Sequence, residues 1–146
     1  MNYEILHFKR ADDIPPDIKS EMINLVHDVY DDDTAQVFHN ELGKKSNTYE
    51  YVVVFDKAKT TVLGLACMMN SGLDFDIWEL AWDMVRNGYR GIGIGKLLND
   101  ERIKIIKQYN GKKILCVTQK IWHLDRNGFH IAHTFANGDS LMVCEI

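Results

Sequence analysis

A glycine-rich junction between an apolar segment and an amphipathic segment constrains the fold of this chain more than any other feature. Its sequence, Val-Arg-Asn-Gly-Tyr-Arg-Gly-Ile-Gly-Ile-Gly-Lys-Leu-Leu, occupies residues 85–98. The pattern predicts a strand before the glycines and an amphipathic helix after them. Backbone N–H groups at the start of a helix converge on one point, and glycine lets the backbone approach an anion closely. The junction therefore predicts a phosphate-binding loop, flanked by the positive charges of Arg90 and Lys96.

The spacing of the glycines excludes two common phosphate-binding motifs. A Walker loop requires Gly, four residues and then Gly-Lys-Ser/Thr, but Arg90 stands at the first glycine position and Leu97 follows the lysine. The dinucleotide motif G-x-G-x-x-G fails because Lys96 stands at the position of its third glycine. The remaining pattern is Arg90-x-x-Gly93-x-Gly95.

This pattern resembles the Q/R-x-x-G-x-G/A signature of the GNAT superfamily of N-acetyltransferases, which cradles the pyrophosphate of coenzyme A. Neighbouring residues extend the resemblance: Val85 ends an apolar segment five residues before the signature, and Tyr89-Arg90-Gly91 leads into the loop. Gly95-Lys96-Leu97-Leu98 is similar to the start of the family's next helix, and Asn127-Gly128-Phe129 to a Gly-Phe pair before the last two strands. The resemblance covers residues 50–146 and is sharpest over residues 78–98.

The resemblance implies a mixed α/β fold with a GNAT-like twisted sheet of about seven strands, splayed in the middle and flanked by about four helices. The hydrophobic pattern agrees with the superfamily's order of elements. Strands are predicted at 3–8, 51–55, 61–69, 75–85, 114–118, 129–135 and 141–146, and helices from Pro15-Pro16, after Asp31-Asp32-Asp33 to about Leu42, and at 95–109. With 146 residues, 46% of them hydrophobic, we expect a single domain over residues 1–146.

Charge is distributed unevenly along the chain. Residues 11–41 contain nine acidic side chains and one lysine, whereas residues 86–126 contain ten basic and three acidic ones. A basic half suits an anionic ligand such as coenzyme A, and an acidic half suits a cationic acceptor. The alternative is that both halves are solvated helix faces. Because the net charge is −4 and no basic strand carries interleaved aromatics, we do not expect a nucleic-acid partner.

The resemblance implies acetyl-CoA as the cosubstrate and indicates which residues bind it. The pyrophosphate would lie on Arg90, Gly91, Ile92, Gly93, Ile94, Gly95 and Lys96. In the family, backbone amides at the positions of Asp83, Met84 and Val85 bind the acetyl carbonyl and the pantetheine arm. The acceptor is expected beside the first two helices, where the three aspartates Asp31, Asp32 and Asp33 would attract a cation.

Acetyl transfer to an amine requires a base, because a lysine-type amine has a pKa near 10.4 and is mostly protonated at neutral pH. Glu79 is the candidate: it lies eleven residues before Arg90, the offset of the catalytic glutamate in the superfamily's histone acetyltransferases. Strand alternation predicts that Glu79 and Asp83 share a face, which makes Asp83 the second candidate. Trp78, Leu80 and Trp82 should lie on the opposite face. The alternative is a structural carboxylate on a solvated face.

The general acid departs from the family's pattern. Many members have a tyrosine four residues before the glycine of the Gly-Phe pair, and this chain has Leu124 there. His123 is the candidate in its place, because histidine donates protons near neutral pH. A structural role for His123 and protonation of the thiolate by solvent are the alternatives.

The sequence predicts neither a metal site nor a disulfide. Cys67, Cys116 and Cys144 lie in apolar segments and are expected to be reduced core residues. His130 and His133 are three residues apart on a predicted strand and should point to opposite faces, which excludes joint ligation of a metal.

Two functions remain open. The first is an acetyl-CoA-dependent N-acetyltransferase that moves an acetyl group directly to a cationic primary amine of a small molecule or a protein, through a ternary complex. The second is a catalytically weak acyl-CoA-binding module that acts as a sensor or interaction partner. With no signal peptide and no apolar run that could span a bilayer, we expect a cytoplasmic protein without a membrane partner, and homodimerisation is left open.

Overall fold

A computed structural model describes residues 3–72, 74–119 and 128–146, and its strands form one seven-stranded sheet. The strands are β1 (Tyr3–Phe8), β2 (Glu50–Asp56), β3 (Thr61–Asn70), β4 (Ile77–Val85), β5 (Lys113–Thr118), β6 (His130–Thr134) and β7 (Ser140–Glu145). Across the sheet their order is β1-β2-β3-β4-β5-β7-β6. The helices are α1 (Pro16–Val29), α2 (Asp32–Gly43) and α3 (Ile94–Gln108), with a 3-10 turn at Ala11–Asp13. The predicted α/β fold with a central sheet of about seven strands is confirmed, and the described residues contain three of the roughly four helices expected.

β4 and β5 run side by side over only three residues each. Their parallel ladder joins Ile77–Glu79 to Lys113–Leu115. All other neighbouring strands are antiparallel. Beyond Glu79, β4 continues to Val85 in its ladder with β3, while the ladder with β5 has ended. The sheet is therefore splayed at its centre, as predicted.

Helices cover both faces of the sheet. On β2, Tyr51 and Val53 pack with α1 and α2, whereas Val52 and Val54 pack with α3, as expected for side chains that alternate along a strand. We call these two sides the α1/α2 face and the α3 face. Each helix turns an apolar stripe inward, and fully burying one such aliphatic side chain contributes about 1.5–3 kcal/mol. The inward residues are Met22, Leu25 and Val26 of α1, Ala35, Phe38 and Leu42 of α2, and Ile94, Leu98, Ile105 and Ile106 of α3.

A β-bulge interrupts the alternation of β4. The register with β3 passes from Ala81 opposite Cys67 to Asp83 opposite Ala66, so Trp82 is the extra residue, with a φ of 33°. An extra residue shifts every later side chain of the strand to the other face.

The bulge overturns two predicted orientations. Trp82 packs on the α1/α2 face beside Ala81, whereas Trp78 and Leu80, with which it was predicted to share a face, pack on the α3 face. Asp83 turns to the α3 face, where its carboxylate meets Arg102 of α3. The prediction that Glu79 and Asp83 share a face is therefore wrong, because it assumed an uninterrupted strand.

A second bulge brings two histidines to one face. The register of β6 shifts between Ile131 and His133, so that His130 pairs with Val143 and His133 with Leu141. Because Val143 and Leu141 are two residues apart on β7, both histidines point the same way, and the predicted opposite orientation is wrong. Within the described ranges, no group of three or more His, Cys, Asp or Glu side chains could hold a metal ion. No helix there has the length and apolarity needed to cross a membrane.

Candidate active site

Two glycines set the shape of the loop between β4 and α3. Gly91 has a φ of 77°, and Gly93, the N-cap residue of α3, has a φ of 96°. A Cβ at either position would meet no atom within 4 Å, so glycine is needed there for its backbone conformation. Gly95 differs, because it lies inside α3 and a Cβ there would make an ordinary contact, 3.8 Å from Val85 Cγ2.

The first turn of α3 presents backbone amides to this loop. Its first intrahelical bond runs from Leu97 N to Gly93 O over 3.0 Å. The amides of Ile94, Gly95 and Lys96 precede that bond, so they have no acceptor within the helix and carry its partial positive charge. α3 has no acidic residue in its first turn and no side-chain cap at Gly93. Buried Ile94 anchors the turn in the core, whereas Ile92 is exposed. The arrangement is suited to binding an anion.

Full positive charges flank the amides. Arg90 is exposed, and its Nε donates to Val85 O over 3.2 Å, which ties the loop to the end of β4. Lys96 is also exposed, and its Nζ lies 2.5 Å from Asp100 Oδ2, one turn later on α3. Both side chains can reach a phosphate from solvent, because their present contacts lie at the surface.

The start of the loop is held against α1. Asn87 donates through its backbone N to Asp28 Oδ2 (3.0 Å) and through Nδ2 to Asp28 O (2.8 Å). Arg86 Nε donates to Val62 O at 2.8 Å, and its guanidinium lies 3.6 Å from Glu21. These contacts preorganise the loop, so less conformational entropy is lost when a ligand binds.

Glu79 lies at the point where the sheet opens. It is the last residue of β4 in the ladder with β5, and its partner on β3 is Met69. Opposite residues of antiparallel strands share a face, so the half-buried Glu79 carboxylate lies on the side of Met69. This carboxylate also acts on Tyr49, just before β2: burial first, and then interaction with Glu41, Cys67 and Glu79, raise the pKa of Tyr49.

Met84 and Val85 line the open part of β4 from opposite faces. Met84 is buried on the α1/α2 face, whereas Val85 packs toward α3. Both lie beyond the end of the β4–β5 ladder. Their backbone therefore borders the gap between the two strands, as does that of Asp83.

A buried arginine links α3 to the bulge of β4. Arg102 is 0% exposed; its Nη2 donates to Asp83 Oδ2 (2.7 Å) and to Asn99 Oδ1 (3.3 Å), and its Nη1 to Cys67 O (3.2 Å). Arg102 is one of the ten basic residues within 86–126 that were expected to attract an anionic ligand, and its structural role was not predicted. Its spacing was a signal, because Arg102 follows Leu98 by four residues and lies on the apolar stripe of α3.

The three aspartates lie at the N-terminus of α2, and two of them have local side-chain or backbone partners. Asp31 is the N-cap residue; its Oδ1 accepts from Thr34 N over 2.7 Å, and this hydrogen bond lowers the pKa of Asp31. Asp32 lies 3.4 Å from His27 Nδ1, and Asp33 is exposed in the first turn. Acidic residues stabilise a helix N-terminus, which accounts for their presence without a substrate. Their role toward an acceptor stays a prediction. His123 and Leu124 lie outside the described residues.

Tyr30, at the end of α1, is a residue that sequence reasoning overlooked. Its ring packs edge-on against Trp82, with 5.9 Å between the centroids. Burial first, and then the charge of Asp83, raise the pKa of Tyr30, while Arg90 opposes them. Tyr30 therefore packs on the α1/α2 face beside the bulge residue Trp82.

No protein-family model matches the chain, and neither does any curated protein sequence. Solved structures do match it. A protein from Desulfovibrio desulfuricans assigned to the GNAT acetyltransferase family superposes with a TM-score of 0.82 at 16% identity, covering 99% of this chain and 98% of its own. The PaiA N-acetyltransferase of Thermoplasma acidophilum, solved with coenzyme A, gives 0.74 at 18% identity and 100% coverage of both chains.

An aminoglycoside 6′-acetyltransferase of type Ii gives a TM-score of 0.75 at 18% identity, covering 99% of this chain and 97% of its own. At these identities the likeness extends to the fold. The chain therefore has the fold of the GNAT acetyltransferases.

Proposed function

We propose that this protein is an acetyl-CoA-dependent N-acetyltransferase whose acceptor is a cationic primary amine. One observation carries the proposal. β4 leaves β5 after Glu79 and then runs directly into the glycine loop that opens α3. A candidate base, a strand edge and an anion site therefore follow one another along a single stretch of chain.

The residues of the loop fit the pyrophosphate of coenzyme A. The first three amides of α3 supply donors, and Arg90 and Lys96 supply positive charge. The open space at Gly91 and Gly93 lets a phosphate approach the backbone. Acetyl-CoA would supply a thioester whose sulfur is the leaving group.

In the proposed reaction Glu79 accepts a proton from the acceptor ammonium, which frees the lone pair of the nitrogen. The nitrogen attacks the thioester carbonyl carbon, and backbone N–H groups of Asp83–Val85 stabilise the resulting oxyanion. The C–S bond then breaks with its electron pair leaving on sulfur, the nitrogen releases its second proton to solvent as the amide forms, and the thiolate takes up a proton. We propose His123 as its donor, with solvent as the alternative.

The charge of the α1/α2 face supports a cationic acceptor. Residues 11–41, which form this layer, carry nine acidic side chains and one lysine. Such a field concentrates cations near the surface. One structural neighbour is named as an aminoglycoside acetyltransferase, and aminoglycosides are polycationic amines. Asp31, Asp32 and Asp33 would act in attracting the acceptor.

The proposal is tested by following thiol release from acetyl-CoA with a panel of primary amines. Glu79→Gln should lower kcat by about 10²–10⁴-fold, the usual contribution of a general base, without weakening acetyl-CoA binding. Asp76→Asn is the matched control, because this exposed carboxylate lies just before β4. Equal activity of Glu79→Gln and the control would remove Glu79 from the mechanism.

The second candidate function is an acyl-CoA-binding module without turnover. Leu124 in place of the family's tyrosine favours it. The same assay separates the two candidates: a binding module would bind acetyl-CoA through the loop and release no thiol with any amine.

A further inference from the structure

An open cleft of about 220 Å³ lies on the α1/α2 face. Its walls come from the end of α2, the segment before β2 and the end of β3, and include Glu41, Asn47, Tyr49 and Met69. Met69 is the cross-strand partner of Glu79, so the cleft adjoins the side of the sheet on which the candidate base lies.

The carboxylate of Glu41 is fixed in this cleft by the bulge of β4. Trp82 Nε1 donates to Glu41 Oε2 over 2.7 Å, across 41 residues of sequence. The indole is held in turn by the edge-on rings of Phe38 (5.2 Å) and Tyr30 (5.9 Å). One carboxylate oxygen is therefore oriented by a rigid donor, and the negative charge of the group is available to the cleft.

The opposite wall is also preorganised. Asn47 Nδ2 donates to Glu41 O (2.9 Å) and to the hydroxyl of Tyr51 (2.5 Å), and Asn47 Oδ1 accepts from Tyr49 N (2.8 Å). Tyr49 thus lines the cleft on a pinned segment. Burial first, and then interaction with Glu41, Cys67 and Glu79, raise the pKa of Tyr49, so both carboxylates lie within electrostatic reach of its hydroxyl.

A carboxylate and an aromatic ring in one cleft favour an organic cation over a neutral group, since the first attracts it by charge and the second by its quadrupole. One basic residue, Lys44, also lines the cleft, but its side chain is exposed to solvent. The two carboxylates have separate positions: Glu79 at the opening of β4 and Glu41 at the end of α2.

We propose that Glu41 and Tyr49 bind a second positive charge of the acceptor while Glu79 meets the reacting amine, so that the substrates are diamines or larger polycations. The inference rests on the proposed function and narrows its acceptor class. The aspartates at the start of α2 lie about 14 Å along the helix from Glu41, by the rise of 1.5 Å per residue, and would act at longer range.

The test compares 1,5-diaminopentane with pentylamine, which has the same carbon chain and one charge fewer. The wild-type protein should prefer the diamine in kcat/KM by about tenfold or more, the contribution of one charge-assisted hydrogen bond. Glu41→Gln should raise KM for the diamine by a similar factor and leave kcat within about twofold, as expected when an interaction that is equal in the ground state and the transition state is lost. The kinetic constants for pentylamine should stay unchanged. Glu145→Gln, at an exposed carboxylate on β7, is the control and should change neither amine.

A diamine preference that survives in Glu41→Gln would overturn the inference, and so would equal use of the two amines by the wild-type protein. Calorimetric titration of 1,5-diaminopentane into the protein saturated with desulfo-CoA gives a readout that needs no turnover. The dissociation constant should rise about tenfold in Glu41→Gln, and absence of diamine binding to the wild type would also contradict the inference. Diamine binding that depends on Glu41 without thiol release would instead refute the proposed catalysis alone.

Discussion

Replacement of Arg102 by methionine should lower the free energy of unfolding far more than replacement of an exposed basic residue on the same helix. The guanidinium is fully buried and donates to Asp83, Asn99 and the carbonyl of Cys67. Methionine retains much of the volume but leaves the carboxylate and the carbonyl without this donor. Removing one partner of a buried ion pair costs about 3–5 kcal/mol. Because the Asp83 side chain is 31% exposed, water can solvate part of it, and we expect the lower end, about 3 kcal/mol.

The assay is urea unfolding followed by circular dichroism, with Lys104→Met as the control. Lys104 lies on the same helix, and its exposed side chain is 3.7 Å from Glu101, a surface pair whose loss should cost under about 1 kcal/mol. Asp83→Asn should relieve part of the penalty in the double variant with Arg102→Met, because the two positions are coupled. If Arg102→Met and Lys104→Met had similar unfolding midpoints at equal m-values, the buried pair would not stabilise the bulge.

Three further predictions concern packing and ionisation. A Cβ on Gly64 would lie 2.8 and 2.9 Å from two side chains of α3. Gly64→Ala should therefore lower the free energy of unfolding in urea by about 1–3 kcal/mol and weaken coenzyme A binding. Gly43→Ala is the control and should do neither, because a Cβ there would have nothing within 4 Å. Burial first, and then the hydrogen bond to Glu50, raise the pKa of Tyr109 to about 12. Unfolded tyrosine ionises near pH 10, so the stability that this shift contributes below pH 10 should be lost between about pH 10 and 12. The free energy of unfolding should fall less steeply with pH in Tyr109→Phe, and equal slopes in the two proteins would contradict the prediction. Burial raises the pKa of Cys116 to about 11, so iodoacetamide at about pH 8 should label this thiol only after unfolding, as mass spectrometry can check.

The sequence was sufficient to predict features that depend on local patterns. β1 has the predicted bounds, and the glycine junction forms the predicted strand, turn and helix, because periodicity and glycine spacing act over short stretches. The splay of the sheet followed from the resemblance carried by residues 78–98. None of these required knowledge of distant contacts.

The bulge at Trp82 could not be predicted in this way, because it depends on residues far away in sequence. Glu41 of α2 accepts from the Trp82 indole, and Arg102 of α3 donates to the carbonyl of Cys67 beside the register shift. These tertiary contacts outweigh strand periodicity and turn Asp83 away from Glu79. The cleft that Glu41 lines is likewise indicated by no motif in the sequence.

The central claim is that the loop opening α3 binds coenzyme A, and calorimetric titration with acetyl-CoA and desulfo-CoA tests it most directly. Wild type should bind both with dissociation constants in the micromolar range, and the double variant Arg90→Ala/Gly93→Ala should lose that binding, because it removes a charge and strains the positive φ of Gly93. Gly43→Ala, on the α1/α2 face, should bind as the wild type does. Absence of binding to the wild type, or equal affinity in the double variant, would contradict the account.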